Sequence, residues 1–442
     1  MSMAIDKNIL RQCIIDKQDE IDSAEIIRRD FDFEERGNYV FVGVRHTGKS
    51  YLMYQRVREL LSAGHGWDEI LYLNFEDERL AELGAEDLNS ILEVHYEHSG
   101  KKPFVFLDEV QNVEHWDKFV RRLADAKYRV YVTGSNARML SKDVETTLGG
   151  RFFVIDVYPY SFKEFLTAKS VELSDGWEHS TVRKGEVVRA FQEYFYFGGL
   201  PEVNNFKGKR NLISSLYQKI YLGDICQRHR IGNDRVLNIM IKKLAESVRH
   251  PLSFNRLRNS IVATGAKISV PTTIDYVGFA EDSWLLLPVS NEVAKFSDKE
   301  SIKKYYFIDN GILNLFLVRQ EPALLENLVA IQLCRVYGKE NVTYLNKEKE
   351  IDFIVNEERL AIQVSYSLKE KGTFDRETEP LVSFVQKNPE WTPLIITYDE
   401  EETIEQNGVT IPAVPIWKWL LQSVSCGLSD TSLHCTAIPP QG

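Results

Sequence analysis

The segment Gly43-Val44-Arg45-His46-Thr47-Gly48-Lys49-Ser50 has the residue types and spacing of a phosphate-binding loop. It fits the pattern G-x-x-x-x-G-K-[ST] and lies between a hydrophobic run and a helix-forming segment. In such a loop, backbone N–H groups converge on phosphate oxygens and the following helix contributes its positive N-terminal end. We predict that Lys49 reaches the β and γ phosphates of ATP and that the Ser50 hydroxyl ligates Mg²⁺. The predicted nucleotide contacts are Gly43, Arg45, His46, Thr47, Gly48, Lys49, Ser50 and Tyr51.

Two carboxylates, Asp108 and Glu109, end the hydrophobic run Phe104-Val105-Phe106-Leu107, which gives this segment the form of a Walker B strand. Phosphoryl transfer depends mainly on positioning and charge stabilisation. Asp108 is therefore predicted to hold Mg²⁺, directly or through water, and Glu109 to orient and polarise the attacking water. Because both acids are present, the sequence predicts hydrolysis rather than binding alone, with Glu109, Asp108 and Lys49 as catalytic residues.

A third hydrophobic run, Val130-Tyr131-Val132, ends in the polar residues Thr133, Ser135 and Asn136. In this class of ATPase the corresponding strand lies beside the Walker B strand. One of these three side chains is therefore predicted to sense the γ-phosphate, and the sequence does not distinguish among them.

The elements that would position these groups form an alternating pattern. Short apolar runs and helical segments follow one another from Asn38 to Tyr160, which is typical of an α/β domain with a parallel sheet. With 442 residues and 43% hydrophobic composition, the chain is long enough for about three domains. The predicted strands are Tyr39–Val42, Ile70–Phe75, Phe104–Leu107, Val130–Thr133 and Phe152–Val157.

The rest of the chain divides into four predicted segments after the P-loop core of residues 1–160. Residues 161–230 are predicted as a helical lid, and residues 231–320 as a winged helix with three short helices and two strands. Residues 321–422 read helix, three strands, helix and strand, which predicts a separate α/β domain. Residues 423–442 are polar and are predicted to be disordered.

Several further motifs make a family resemblance specific. In order they are Leu107-Asp108-Glu109-Val110-Gln111, Thr133-Gly134-Ser135-Asn136, Leu148-Gly149-Gly150-Arg151, Tyr158-Pro159-Tyr160-Ser161-Phe162 and Gly198-Gly199-Leu200-Pro201-Glu202. Together with the P-loop they resemble the prokaryotic AAA-type ATP-binding proteins, related to archaeal and STAND ATPases, that carry a C-terminal domain of unknown function. The resemblance implies an α/β fold: a P-loop NTPase domain of AAA (ASCE) type with a helical lid, a winged helix and a C-terminal restriction-endonuclease-like α/β domain.

The same resemblance makes Arg151 a candidate for a charge-stabilising arginine. It would act either in cis or, in a homo-oligomer, on the nucleotide of a neighbouring subunit. The alternative is a structural salt bridge.

The element order after Pro322 resembles the restriction-endonuclease-like fold, in which a glutamate, an aspartate and an acid-x-lysine pair converge on a divalent metal. Glu326 and Asp352 stand in the first two places. The third place reads Gln363-Val364-Ser365, which lacks both the carboxylate and the ammonium. Glu350 would partly replace the missing acid, but the sequence offers nothing for the lysine. We therefore expect a catalytically inert, nuclease-like scaffold, with an active DNA nuclease as the alternative.

Basic residues concentrate between Gln227 and Val270. This segment contains nine basic and two acidic residues, although the net charge of the whole chain is −11. In a winged helix such residues contact phosphates. The candidates for DNA contact are Arg249, Arg256, Arg258 and Lys267. However, the predicted third helix carries Asp275, Glu281 and Asp282, which suits base reading poorly, so packing against acidic neighbouring domains or a partner subunit is the alternative.

The composition restricts the remaining possibilities. The five cysteines show no C-x-x-C spacing, and no apolar run approaches the roughly 20 residues of a membrane span. We therefore expect a soluble cytoplasmic protein that couples ATP hydrolysis to conformational change in DNA binding or remodelling. The competing class is an ATP-gated binding or signalling switch whose partner is a protein.

Overall fold

The computed structural model describes residues 5–135, 148, 150–318, 320–347 and 349–422. Asn136 and the predicted tail at 423–442 lie outside the described residues. The chain divides into two compact units. The first comprises Met1–Tyr158 with Asp282–Trp284, and the second comprises Pro159–Glu281 with Leu285–Gly442.

The first unit contains a five-stranded sheet in which every neighbouring pair of strands is parallel. Its strands are β1 (Tyr39–Val42), β2 (Ile70–Asn74), β3 (Phe104–Asp108), β4 (Arg129–Gly134) and β5 (Phe153–Asp156), in the spatial order β2-β3-β4-β1-β5. Strands β1 to β4 are largely continuous apolar runs because parallel strands are covered on both faces. The predicted parallel α/β sheet is confirmed, with strand ends that differ by at most one residue.

Four α-helices cover this sheet within the described residues of the first unit: α1 (Lys7–Ser23), α2 (Lys49–Ser62), α3 (Leu88–Tyr96) and α4 (Trp116–Asp125). The sequence did not predict α1, whose N-cap is Asp6, where the side chain accepts a hydrogen bond from Asn8 N. Aromatic rings on neighbouring strands stack inside the core, with Phe106 and Tyr131 only 4.5 Å apart between ring centroids. This rigid core fixes the carboxyl ends of the strands, where the P-loop and the Walker B acids follow.

The second unit begins with helices and continues into a large mixed sheet. Its described helices are α5 (Phe162–Ala168), α6 (Thr181–Phe197), α7 (Lys209–Lys219), α8 (Asp234–Glu246), α9 (Phe254–Val262), α10 (Val270–Asp282), α11 (Phe296–Ser301), α12 (Asn310–Leu313), α13 (Glu321–Tyr337), α14 (Lys371–Lys387) and α15 (Ile416–Gln422). A π-helix, Ile220–Gln227, continues α7. The predicted lid segment is therefore helical, as expected.

The strands of the second unit are β6 (Leu252–Ser253), β7 (Leu286–Asn291), β8 (Ile302–Phe307), β9 (Val342–Asn346), β10 (Glu350–Val355), β11 (Leu360–Ser365), β12 (Thr392–Thr397), β13 (Glu402–Gln406) and β14 (Val409–Pro415). They form one nine-stranded sheet in the order β13-β14-β12-β11-β10-β9-β7-β8-β6. The sequence did not predict β6, β13, β14 or α15.

The nine-stranded sheet continues across residue 320, where the sequence predicted a domain boundary. Strand β7 pairs in parallel with β9 through Ser290 and Asn291. In addition, Asn327 on α13 accepts a hydrogen bond from Phe307 N at 2.6 Å and donates one to Phe307 O at 3.0 Å. These bonds join the segments predicted as winged helix and C-terminal domain into one compact unit.

The turn at Gly198-Gly199 packs against the buried carboxylate of Asp309. Gly198 has a φ of 74°, and a Cβ atom there would overlap the Asp309 carboxylate. Gly199 N donates to Asp309 Oδ2 at 2.7 Å, while Gly311 N donates to Asp309 Oδ1 at 2.8 Å. Both glycines are therefore needed for close backbone approach, and Asp309 holds the end of α6 beside the start of α12.

Candidate functional site

The P-loop connects the buried strand β1 to α2, as its sequence predicts. Gly48 has a φ of 90° and precedes the first residue of α2, so the chain turns there in a conformation that glycine adopts without strain. Lys49 is buried, and its Nζ donates to Gly43 O at 3.0 Å and to Val44 O at 3.1 Å. The lysine is thus held on neutral loop carbonyls at the helix N-terminus.

The Walker B acids lie at the end of β3, close to this lysine. Asp108 is buried and accepts hydrogen bonds from the hydroxyls of Tyr72, Thr133 and Ser50. Burial, followed by the neighbouring Glu109 carboxylate, raises the pKa of Asp108 above its ordinary value. Glu109 Oε1 lies 3.9 Å from Lys49 Nζ. The structure therefore brings together the four residues Lys49, Ser50, Asp108 and Glu109 that the sequence singled out.

The predicted sensor residues on β4 and just beyond it contact the Walker B segment. Thr133 Oγ1 bonds to Asp108 and accepts a hydrogen bond from Glu109 N at 2.9 Å. Ser135 is buried, and its hydroxyl lies 3.4 Å from Gln111 Nε2. The same Gln111 Nε2 donates to Glu109 Oε2. Gln111 is a contact of the glutamate that sequence reasoning did not assign, although it stands two residues after Glu109.

Arg29, a residue that the sequence did not single out, contacts the backbone of the P-loop. Its Nη1 donates to Thr47 O and its Nη2 donates to Tyr158 O, each at 2.9 Å. Its backbone N donates to Gln55 Oε1 on α2 at 2.8 Å. No motif marks this arginine, because it precedes β1 and reaches the loop only in the folded chain.

The flanking P-loop residues predicted as nucleotide contacts have protein contacts of their own. Arg45 forms an ion pair with Glu76, and Thr47 Oγ1 donates to Val44 O at 2.9 Å. His46 has a φ of 65°, and Tyr51 is half exposed and packs on Tyr54 with ring centroids 5.2 Å apart. Their contact with a nucleotide stays a prediction.

Arg151 lies at the opposite edge of the sheet from the P-loop. It precedes β5, its backbone O accepts a hydrogen bond from Asn38 Nδ2 at 3.2 Å, and its Nε lies 2.6 Å from Asp125 Oδ1. Asn38 precedes β1, whereas the P-loop follows it, and a four-residue strand spans roughly 13 Å. The pair with Asp125 agrees with the alternative of a structural salt bridge, and the role of Arg151 in cis stays a prediction. Action on a neighbouring subunit stays a prediction.

A second acidic cluster is built entirely within the second unit. Glu326 on α13, Glu350 and Asp352 on β10 surround Lys304 of β8, whose Nζ lies 3.3, 2.9 and 3.3 Å from the respective carboxylates. Arg249 Nε lies 3.0 Å from the other oxygen of Glu326. The sequence offered no ammonium for this cluster, and the structure places that of Lys304 there from a different strand. Sequence reasoning missed it because Lys304 lies in the preceding predicted domain.

Gln363 and Ser365 stand in the two positions that depart from the nuclease pattern, and their side chains form hydrogen bonds with backbone groups. Gln363 Oε1 accepts a hydrogen bond from Asp352 N at 2.8 Å, and Ser365 Oγ donates to Ser367 O at 3.0 Å. A pocket of about 440 Å³ opens over the cluster. Its lining includes Arg249, His250, Glu326, Glu350, Asp352, Gln363, Arg376 and Glu377.

Two proteins resemble the chain over nearly its whole length. The uncharacterized protein MJ1544 of Methanocaldococcus jannaschii is 32% identical over 442 residues, which cover 95% of this chain and 97% of that protein. An uncharacterized protein of Haemophilus influenzae is 30% identical over 393 residues, covering 87% and 94% respectively. The chain belongs to the family of these two proteins.

Two family models match separate parts of the chain. The AAA domain family matches residues 35–166, which contain the P-loop, Asp108, Glu109 and Thr133. The family described as a domain of unknown function, DUF8612, matches residues 188–323. The predicted P-loop NTPase domain of AAA type, with the ATP-binding role that goes with it, is confirmed.

Solved structures give a weaker likeness. The Walker-type ATPase PABY2304 of Pyrococcus abyssi shares 15% identity with a TM-score of 0.40, covering 67% of this chain and 99% of that protein. Among the described residues, no helix of this chain is both long enough and apolar enough to cross a membrane.

The nucleotide and magnesium ion that the AAA family implies fit the residues present. Ser50 and Asp108, the two predicted magnesium ligands, are already in hydrogen-bond contact, and Lys49 lies beside the loop carbonyls. A Cβ atom at Gly43 would overlap Val157 O, so this position admits only glycine beside the cradle. Oxygen ligands of this kind are those that Mg²⁺ prefers.

The candidate DNA-binding residues are not equivalent in the structure. Arg256 and Lys267 are exposed, and Arg258 is partly exposed, with its Nε donating to Ile268 O at 3.3 Å. Arg249 instead points into the acidic cluster and pairs with Glu326. Of the four candidates, Arg256, Arg258 and Lys267 therefore remain at least partly exposed, and their contact with DNA stays a prediction.

Proposed function

We propose that this protein binds and hydrolyses ATP with Mg²⁺ and couples turnover to a conformational change used in DNA binding or remodelling. One observation carries the proposal: Lys49, Ser50, Asp108 and Glu109 meet at the carboxyl edge of the parallel sheet. The bound Mg²⁺ would neutralise charge on the phosphates. Ser50 and Asp108 would hold it.

The protein groups divide the remaining work. Lys49 would exchange its neutral carbonyl partners for phosphate oxygens, which bind an ammonium more strongly because they are charged. Glu109 would orient and polarise the attacking water. Thr133, Ser135 or Asn136 would sense the γ-phosphate, and the first two contact the Walker B segment.

Phosphate release and nucleotide binding test this proposal. Lys49→Ala should lose most ATP affinity, whereas Glu109→Gln should bind ATP and hydrolyse it at least about 10²-fold more slowly, the usual size of a general-base contribution. Lys101→Ala and Glu114→Gln, at solvent-exposed positions of the same unit, are the matched controls. Equal ATP binding by wild type and Lys49→Ala would refute the site.

We also propose that residues 231–320 form a winged helix that contacts DNA phosphates. The order α8, β6, α9, α10, β7, β8, with β8 antiparallel to both β6 and β7, supports this. The exposed Arg256 and Lys267 supply positive charge. An electrophoretic titration with single-stranded, duplex and branched DNA, with and without ATP, would test it, and no binding at low salt would leave the basic face as a packing surface.

The C-terminal segment is proposed as a catalytically inert nuclease-like scaffold. The order α13, β9, β10, β11, α14, β12, with β11 parallel to β12, supports this fold. Gln363 and Ser365 lack the charges that hydrolysis of a phosphodiester needs. Protein supplied with Mg²⁺ or Mn²⁺ should leave DNA uncut, and cleavage that Asp352→Ala abolishes would favour an active nuclease.

The competing function is an ATP-gated switch that acts on a protein partner. The observation that favours it is that Glu109 already bonds to Gln111 and lies near Lys49, so its carboxylate is not held ready for water alone. A wild-type phosphate-release rate no higher than that of Glu109→Gln, with intact ATP binding, would support the switch.

A further inference from the structure

Lys304 lies completely buried among three carboxylates of the second unit. Residues two apart on a strand share a face, and Lys304 and Tyr306 both turn inward from β8 to contact Glu326. The Lys304 side chain has 0% exposure, so every charged group around its ammonium belongs to the protein. The contacts to Glu326, Glu350 and Asp352 all lie within 3.3 Å.

These carboxylates are the ones that the nuclease-like fold would use to hold a divalent metal. Mg²⁺ binds oxygen at about 2.0–2.1 Å in octahedral geometry, whereas the centre of this cluster holds the Lys304 ammonium, 2.9–3.3 Å from the three carboxylates. Within the part of the chain that the structure describes, no group of three or more His, Cys, Asp or Glu side chains is arranged to hold a metal ion. The donor set therefore fits an ammonium and does not fit a metal while Lys304 is in place.

A second internal cation completes the arrangement. Arg249 Nε pairs with Glu326 Oε2 at 3.0 Å, and Tyr306 donates to Glu326 Oε1 at 2.8 Å. The backbone at Arg249 has a φ of 87°, a left-handed conformation that costs a non-glycine residue energy. The fold thus accepts local strain where this arginine turns toward the buried glutamate.

The charges of the cluster are consistent with a protonated lysine. Burial alone would lower the pKa of Lys304, but the carboxylates of Glu326, Asp352 and Glu350 outweigh it, and the pKa lies above its ordinary value. Lys304 and Arg249 in turn hold the pKa of Glu326 below its ordinary value despite burial. Cations and acids of the cluster therefore depend on each other for their charge.

We propose that Lys304 is a built-in replacement for the divalent metal ion of a nuclease-type site. Its ammonium holds Glu326, Glu350 and Asp352 together, so the pocket binds neither Mg²⁺ nor Mn²⁺. This inference rests on the nuclease-like fold proposed above and goes beyond it. If the absence of Glu-x-Lys were the sole reason that the site is inactive, restoring that pair would restore metal binding. In this proposal the Lys304 ammonium occupies the metal position until Lys304 itself is removed.

Manganese binding to the nucleotide-free full-length protein tests the proposal, with free Mn²⁺ followed by electron paramagnetic resonance and the thermal unfolding midpoint measured in parallel. The control is Lys303→Ala, a neighbouring change on the opposite face of β8. Neither wild type nor this variant should show a change in unfolding midpoint on addition of Mn²⁺. Lys304→Ala should unfold at a lower temperature without metal and bind Mn²⁺ at least roughly tenfold more tightly than wild type, because it vacates a set of hard oxygen ligands.

Two further variants separate this effect from simple destabilisation. Lys304→Met should be destabilised and gain no Mn²⁺ binding, because the thioether fills the vacated space. Lys304→Ala combined with Asp352→Asn should lose the gain. Restoring Gln363→Glu with Ser365→Lys in the presence of Lys304 should create no Mn²⁺ site.

Two outcomes would overturn the proposal. One is stoichiometric Mn²⁺ binding by wild type that Asp352→Asn abolishes, and the other is a folded Lys304→Ala variant with no gain over Lys303→Ala. If Lys304→Ala does not fold, the comparison of wild type with Asp352→Asn still decides, because equal Mn²⁺ binding by the two is required. ATP turnover, measured separately, would fail without affecting this result if the proposed ATPase function were wrong.

Discussion

Lys49 in the first unit and Lys304 in the second both lie near carboxylates, but their immediate partners differ. Lys49 Nζ bonds to two backbone carbonyls and remains 3.9 Å from Glu109. Lys304 Nζ bonds to three carboxylates within 3.3 Å. A phosphate can displace neutral carbonyls from an ammonium, but it must compete with three charges in the second cluster. The Lys49 ammonium is thus held by contacts that a phosphate can displace, whereas the Lys304 ammonium is held by ion pairs within the protein.

The two regions also differ in the distance along the chain that separates their parts. Lys49 and Ser50 are adjacent, as are Asp108 and Glu109, and each pair lies at the end of a strand or the start of a helix. The second cluster joins Arg249, Lys304, Glu326 and Asp352 from four separate elements or loops. Ligand sites can be built from short motifs, whereas internal neutralisation requires the completed fold.

The largest expected effect is on the stability of the second cluster. Glu326→Gln should destabilise the second unit by about 3–5 kcal/mol, because it leaves Lys304 and Arg249 short of a buried partner. Hydrogen exchange read from peptides of α13 and β8 would measure this without assuming that both units unfold together. Glu357→Gln, exposed between β10 and β11, is the control.

The comparison predicts the opposite behaviour for Glu109→Gln in the first unit. Removing the Glu109 charge should leave hydrogen exchange in β3 unchanged or slower. The reason is that this charge repels the Asp108 carboxylate and is one cause of its raised pKa. Equal destabilisation by both substitutions would contradict the distinction between the two regions.

Asp309 is a buried carboxylate held by backbone N–H groups and not by a cation. Burial raises its pKa from 3.8 to about 6, so the folded state retains a proton that the unfolded state releases. Wild-type stability should therefore fall between about pH 4 and pH 6, by up to about 3 kcal/mol from this group. Asp309→Asn should lack that part of the fall.

Urea unfolding of wild type and Asp309→Asn at a series of pH values would measure the difference, with the exposed Asp399→Asn as control. If the difference in unfolding free energy between wild type and Asp309→Asn does not change with pH, the pKa of Asp309 is not raised in the folded state. Solvent or a cation would then stabilise its charge, as Lys304 does for the carboxylates of the second cluster.

A smaller effect is expected at Gln111, whose amide donates to Glu109. Gln111→Ala should slow ATP hydrolysis by about three- to tenfold, a fraction of the full contribution of a general base, because Glu109 loses an orienting contact. Affinity for ATP should not change. Steady-state phosphate release with Glu114→Ala as control would check this, and a rate increase would show that Gln111 restrains the glutamate.

The smallest expected effect concerns DNA. If the winged helix makes three or four phosphate contacts, log K should fall with log salt concentration with a slope of roughly −3 to −4. Arg256→Ala with Arg258→Ala should reduce that slope by about 2 and weaken all DNA sequences alike, because phosphate contacts do not read bases. Lys101→Ala with Lys102→Ala is the charge-matched control, and an unchanged titration would assign the basic face to protein packing.

The sequence by itself determined the nucleotide site and the parallel sheet around it. A strand, a glycine loop and a helix in direct succession leave little freedom for Gly43, Lys49 and Ser50, because their positions follow from local backbone geometry. The acids at the end of β3 are located in the same way, since the carboxyl ends of neighbouring parallel strands meet at one edge. The five predicted strands therefore match β1 to β5 within one residue at either end.

Only the tertiary structure decided which charges meet in the second unit and where Arg151 lies. Lys304 and Glu326 are separated by a predicted domain boundary, and their contact depends on the pairing of β7 with β9 and on the bonds of Asn327 to Phe307. Arg151 lies before β5 and beside Asn38, at the start of the parallel strands, because of the direction of β5, which a motif does not contain. A contact between distant residues depends on the register of whole elements, because burial and pairing select that register for the complete chain and not for any one segment.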